Sequence, residues 1–469
     1  MKRPCGAWLC LAFGVWLLGG SATALASPAA ERAQQRLAEL LPRDSRWGLA
    51  VVGVSDRREL LAAGGATTPL LPGSLVKLLV SGAALEAAST GRGPQFTTEL
   101  YTAGRIEQGR LLGDLYLRGS GNCFLGTAHL QKMIEALRVA GIREITGRVK
   151  ADGSLFDVRG LDRHRNGAAY AAPGALGLDL HTAALTVRPG RPDEPPQVMV
   201  EPLNNVVRLA VSANSTEAGS ATLKVVQGND LAYRVAGNLP LPAGSQRSRF
   251  GLEAPALYAA QSFTSLLRQN GITVREEAAL GVTPQGAQLF ARSAGPGLSQ
   301  YLGEMNRHSL NVAADNLLLA LGGAMHGYPA SRVNGIRAVS AHLERFGLHG
   351  NEVRITDGSG LQLQNRLTAR GLARYLAAVA QQPWFKELYG SLPSAGLEGP
   401  LKNGTFRDRR FRAKTGHLEQ AIALAGYGRD AQDRLIAFVL LVNSDKPLPP
   451  LAERLWSDTM YFLAHEVLQ

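Results

Sequence analysis

Two strand pairs at opposite ends of the chain constrain its fold more than any other feature. Near the start, WGLAVVGV (47–54) reads as a strand, SDRR as a turn and ELLAA as the returning strand. Far along the chain, AIALAGYGRD and RLIAFVLLVNS form a second pair around Asp430–Asp433. When both ends supply strands, with helical periodicity just inside them, the economical solution is one antiparallel sheet with helices lying on it. The closing stretch LAERLWSDTMYFLAHEVLQ supports this, because Trp456, Met460, Leu463 and Val467 fall on one helix face. Its polar face is not strongly basic, so a core helix on the sheet is expected rather than a membrane-surface anchor.

Between these ends the texture changes. Residues 97–195 mix strands (ELYTAG, GDLYLRGSG, ITGRVKADGSLF) with one good helix, TAHLQKMIEALRVAG. Residues 196–250 are strand-like throughout, and from APALYAAQSFTSLLRQNGI onward helical periodicity returns. The expected class is α+β: a host domain split into residues 27–96 and 281–469 by two small inserted domains. One insertion is α+β, entered at 97–195 and left through 251–280. The other, 196–250, is mostly β.

The first residues fit an export signal. Lys2 and Arg3 precede an apolar run from Ala7 to Gly20, and Ala24-Leu25-Ala26 offers a cleavage site after Ala26. The run is short for a spanning helix, so the expectation is a mature chain in the periplasm, with peripheral contact to membrane or wall allowed by its charge. Removing Lys2 and Arg3 takes the formal charge from +12 to +10. A basic exported chain is drawn to anionic surfaces. Its cations are scattered rather than clustered, which argues against nucleic acid. Cys5 and Cys10 lie in the signal, leaving Cys123 without a disulfide partner, more in keeping with a packed small residue than a nucleophile.

Three short motifs then fall at element boundaries. In PLLPGSLVKLLVSG, Ser74 and Lys77 stand three apart, close enough on a helix face for hydroxyl and amine to meet. In MNRHSLNVAADNLLLALGG, Ser309 and Asn311 open a helical run. In FRAKTGHLEQAIALAGY, Lys414-Thr415-Gly416 leads into a strand. Each is cheap alone. In this order, S-x-x-K, S-x-N and K-T-G are the motif set of penicillin-recognising serine acyl-transferases.

The chain resembles the class C low-molecular-mass penicillin-binding proteins, the D-alanyl-D-alanine carboxypeptidase/endopeptidase family. GDLYLRGSG, YAAPGALGLDL, ITDGSGLQLQNRLTARGLARYL and SLPSAGLEGPLKN carry the likeness beyond the three motifs. So does the long interval between Ser74 and Ser309, 235 residues, against 105 from Ser309 to Lys414. The resemblance implies a β-lactamase/transpeptidase-like domain of about five antiparallel strands, peptidoglycan peptides as substrates and β-lactams as inhibitors. It implies neither cofactor nor metal, and no H-x-x-x-H pair is present to suggest one.

Amide hydrolysis through an acyl-enzyme needs an activated hydroxyl. Lys77 can take the Ser74 proton only when its amine is neutral, which burial or a second cation, Lys414, would favour. Ser309 would relay protons, and Asn311 would hold Lys77 and substrate. The backbone N–H of Ser74 would serve the oxyanion. By resemblance, the His417 N–H is the second oxyanion donor, and Thr415, Gly416 and His417 line the substrate's carboxylate end. His417 stands where the family usually has a hydroxyl residue, which removes one side-chain contact to that carboxylate. Leu310 replaces a common aspartate without expected effect. Asp152 has two readings, a turn aspartate at a strand end or, by resemblance, a partner for the amino end of the stem peptide's diamino acid.

Overall fold

The computed structural model describes residues 28–161, 171–202, 204–228, 231–430 and 432–467. The expected signal segment lies outside them. Among the described residues no helix is long and apolar enough to cross a membrane.

The first part of the chain gives α1 (Pro28–Leu40), β1 (Arg46–Gly53), β2 (Glu59–Gly64) and α2 (Val76–Ser89). The middle supplies β3 (Thr97–Thr102), β4 (Leu115–Gly119), α3 (Thr127–Val139), β5 (Val149–Asp152), β6 (Thr182–Arg188) and β7 (Gln197–Glu201). It continues with β8 (Arg208–Thr216), β9 (Lys224–Gln227), β10 (Ala232–Pro240), β11 (Gln246–Gly251), α4 (Pro255–Gln269), β12 (Ala279–Leu280) and β13 (Gln288–Ala294). The last part gives α5 (Leu298–Arg307), α6 (Asn311–His326), α7 (Arg332–Arg345), α8 (Ala369–Val379) and α9 (Phe385–Ser391). After these come β14 (Arg412–Leu418), β15 (Ala421–Arg429), β16 (Leu435–Asn443) and α10 (Ala452–Phe462).

Both chain ends build one five-stranded antiparallel sheet in the order β2-β1-β16-β15-β14. Side chains alternate across it. Ala50, Val52, Ala423, Ala425, Val439 and Leu441 face a core shared with α2, α5, α6 and α8. Leu49, Val51, Ile422, Leu424, Phe438 and Leu440 face a second core with α1 and α10. Covering both faces explains why LIAFVLLVN is apolar at nearly every position. Trp456 and Met460 of α10 lie buried on that second face, with the Trp456 indole donating to the Ala423 carbonyl at 3.0 Å.

The middle of the chain has its own core, running from Leu100 to Val274. It holds a five-stranded sheet in the order β12-β5-β4-β3-β13, a three-stranded antiparallel sheet β7-β6-β11, and a third sheet β8-β10-β9. Strand pairing crosses the sequence-based divisions in two places. β6 precedes residue 196 yet pairs with β7 and β11, and β13 lies beyond residue 280 yet pairs with β3. Local composition identifies a strand but not the distant strand it hydrogen-bonds to, so texture alone could not set these limits.

Candidate active site

α2 is apolar on almost every side and buried through the middle of the host domain. Its exceptions therefore stand out. Before it, Gly73–Leu75 makes one tight 3₁₀ turn, in which Ser74 caps nothing through its side chain. Gly73 has φ +51°, a left-handed conformation that suits glycine. The turn packs against β14, where a Cβ on Gly73 would sit 3.2 Å from the His417 amide nitrogen. Gly360 (φ +82°) closes the other side, since any side chain there would collide with the Gly73 carbonyl.

One turn after Ser74, Lys77 is completely buried. Its Nζ lies 2.8 Å from each of three oxygens: Ser74 Oγ, Asn311 Oδ1 and the Ser359 carbonyl. Ser309 Oγ stands 3.1 Å from Ser74 Oγ, and Lys414 Nζ stands 2.9 Å from Ser309 Oγ and 2.8 Å from the Thr415 carbonyl. The result is a continuous chain, Lys77–Ser74–Ser309–Lys414, assembled from α2, the α5–α6 junction and β14. Ser309 sits at that junction with φ +53°, which L-residues other than glycine rarely adopt and which costs roughly 1–2 kcal/mol. The strain turns its hydroxyl between the two lysines, while Asn311 begins α6.

Burial decides the electrostatics. It pulls the Lys77 amine down to about 8, with the Asp315 and Asp357 carboxylates working against the shift. Lys414 is also fully buried and is held well below the ordinary lysine range, first by burial and then by the charge of Lys77. Lys77 and Lys414 are thus poised to lose and regain protons, and both hydroxyls lie between them.

The other expected contributors are placed differently. Thr415 and Gly416 are buried in β14, and a Cβ on Gly416 would lie 2.6 Å from the Pro72 carbonyl oxygen, so this strand and the Ser74 turn are in close contact. His417 is exposed. It pairs with Ile422 on the α10 face, and its ring meets Trp456 edge-on at 6.4 Å, whereas Lys414 faces the opposite side. Its backbone, not its imidazole, approaches the Ser74 turn. Asp152, at the end of β5, is buried outside this cluster. Its two oxygens accept the Ser154 and Thr283 amides at 2.9 and 2.8 Å. Burial disfavours its charge, but those hydrogen bonds prevail and hold it below the usual carboxylate range. That is a turn-building geometry.

Sequence reasoning passed over two residues of α6. Asp315 accepts the Gly358 and Ser359 amides, both at 2.9 Å, and so docks the loop whose carbonyl meets Lys77. Asn316 is completely buried and bonds the Gly121 carbonyl at 3.3 Å and both the amide and carbonyl of Gly174 at 3.0 Å, joining the helix to the inserted region. The available signal was an Asp-Asn pair interrupting an otherwise apolar run. Asp357 winds the loop around itself, accepting from the amides of Gly360, Leu361 and Gln362, the Ser359 hydroxyl and Asn365.

Comparison with known proteins identifies the family. The D-Ala-D-Ala carboxypeptidase 3 (S13) family model matches residues 30–460. A D-alanyl-D-alanine carboxypeptidase of Actinomadura sp. strain R39 is 28% identical over 431 residues, covering 86% of this chain and 79% of that protein. The D-alanyl-D-alanine carboxypeptidase DacB of Haemophilus influenzae is 28% identical over 425 residues, covering 87% of each. The crystal structure of penicillin-binding protein 4 from H. influenzae superposes with a TM-score of 0.79 at 25% identity, over 91% of this chain and 98% of that one. The same protein complexed with a β-lactam gives 0.76. The α+β, transpeptidase-like fold with its inserted sheets is therefore shared, and this chain belongs to the D-Ala-D-Ala carboxypeptidase 3 (S13) family of serine-type hydrolases.

Proposed function

We propose that this chain hydrolyses the D-alanyl-D-alanine amide of peptidoglycan stem peptides, and the corresponding cross-links, through an acyl-enzyme on Ser74. The observation that carries the reading is the unbroken hydrogen-bond chain from Lys77 through Ser74 and Ser309 to Lys414. Neutral Lys77 takes the Ser74 proton as Oγ attacks the scissile carbonyl. The Ser74 and His417 backbone N–H groups receive the developing oxyanion. The C–N bond then breaks, and the departing amine collects a proton relayed through Ser309. Water later hydrolyses the ester, with the same lysine taking its proton. Lys414 adds charge toward the substrate's terminal carboxylate, and Thr415 lies on the α10 face with His417. A β-lactam would be opened by the same attack and remain on Ser74. Asp152 supports the inserted region through its bonds to the Ser154 and Thr283 amides. The N-terminal signal pattern supports action in the periplasm.

The placement of His417 favours a refinement. His417 presents its imidazole to Trp456 on the α10 face and takes part through its backbone N–H alone. Fluorescent penicillin should label the mature protein and not Ser74→Ala. His417→Thr, whose new side chain would share the α10 face, should leave the ratio of D-alanine release from a pentapeptide to cleavage of a cross-linked dimer unchanged. A folded wild type that neither takes the label nor hydrolyses penicillin would sink the acyl-enzyme reading. Label retained without turnover of either peptide would indicate a slow wall-binding protein instead.

A further inference from the structure

We propose that Asp315 is a positioning residue for the general base: by holding the Gly358–Ser359 turn it fixes the carbonyl that takes one Lys77 N–H, and so aims the amine's lone pair at Ser74. This rests on Lys77 acting as that base. A neutral amine has two N–H groups and one lone pair in tetrahedral array. Lys77 has three oxygen neighbours at 2.8 Å, and two of them, Asn311 Oδ1 and the Ser359 carbonyl, can only accept. Once they take both N–H groups, the lone pair has one direction left, toward the Ser74 hydroxyl. Aim therefore depends on two acceptors staying in place.

The first acceptor begins α6. The second lies in a loop, and loops drift unless tied down. Its tie is Asp315, four residues after Asn311 and on the same helix face. One carboxylate oxygen receives two successive amides, Gly358 and Ser359, which orients the Ser359 peptide group. Asp357 shapes the loop internally, whereas Asp315 attaches it to the helix carrying the other acceptor. A single helix thus sets both.

The charged groups facing Lys77 are Lys414 from β14, Asp315 from α6 and Asp357 from the loop. The two carboxylates oppose burial and leave the amine at about 8, near the pH at which a base works best. Removing the Asp315 charge lowers that value, so the acid-side limb of acylation should move to lower pH.

The test is the second-order rate of acylation by a β-lactam from pH 6 to 10, on full-length mature enzyme checked by circular dichroism and melting temperature. Asp315→Asn should lose about tenfold in acylation, Asp315→Ala about a hundredfold, with substrate KM changed far less than kcat. The limb should shift down in Asp315→Asn. In Asp315→Glu, which keeps the charge but displaces the acceptor, rate should fall while the limb stays. In a Lys77→Ala background Asp315→Asn should cost nothing further. The inference is overturned if Asp315→Asn acylates at the wild-type rate with an unmoved limb, or loses the same factor with and without Lys77. Lys77→Ala acylating as fast as wild type would instead remove the base assignment itself, and this inference with it.

Discussion

Cys123 and Ser74 are two would-be nucleophiles in one molecule, and the intrinsically weaker one is the better equipped. Cys123 is fully buried, with its sulfur 3.3 Å from the Tyr301 hydroxyl, which in turn bonds the Ala313 carbonyl at 2.9 Å. Burial pushes its thiol up to about 12, only partly offset by that hydroxyl, so no useful thiolate forms near neutrality. Ser74 is half-buried, with a buried amine on one side and a second hydroxyl on the other. Both sites lean on the first turn of α6, at Ala313 and Asn311. The difference lies in the neighbours. A phenol tied to a carbonyl cannot accept a proton at working pH, whereas a lysine lowered to about 8 can.

That contrast can be broken most severely at Lys77. Lys77→Ala should leave Ser74 as idle as Cys123, with penicillin acylation reduced by about 10²–10⁴-fold, read by stopped-flow labelling. Next comes Gly416→Ala, whose added carbon would press on the Pro72 carbonyl and on Ala423. Displacing the Ser74 turn should cost roughly tenfold to a hundredfold in acylation. A subtler test is pH. Because the proposed base, Lys77, acts when neutral, and its pKa is lowered, acylation should rise with pH through about 8 and level off above it. A rate flat from pH 6 to 10 would separate Lys77 from the proton transfer. The smallest effect belongs to Cys123→Ser. It should leave acylation unchanged and cost about 1 kcal/mol of stability, seen as a slightly lower melting temperature. Iodoacetamide should reach Cys123 only in denaturant.

Much of the Ser74 cluster was legible because its residues sit in short motifs whose spacing encodes contact. Ser74 and Lys77 declare themselves by one helical turn, and Lys414 by the strand that carries it. The sheet was equally readable, since LIAFVLLVN and AIALAGYGR are buried on both faces. Other features depend on partners far away in the chain. Asp315 acts on amides more than forty positions on, and nothing near it in the sequence marks that loop as its target. His417 looks like a substitution within the site until the pleat of β14 turns its ring toward Trp456. α1 was not anticipated, because a lone amphipathic helix gives no sign of the sheet face it will cover.

Asn316 has a mechanical meaning beyond its hydrogen bonds. The helix that presents Asn311 to Lys77 and Asp315 to its loop is, one residue later, bolted to Gly121 and Gly174 of the inserted region. A force or ligand that shifted that distant lobe would have to break the bolt or drag the helix with it. The lobe is then a handle on the cluster, and a molecule gripping it would act on Lys77 without touching Ser74.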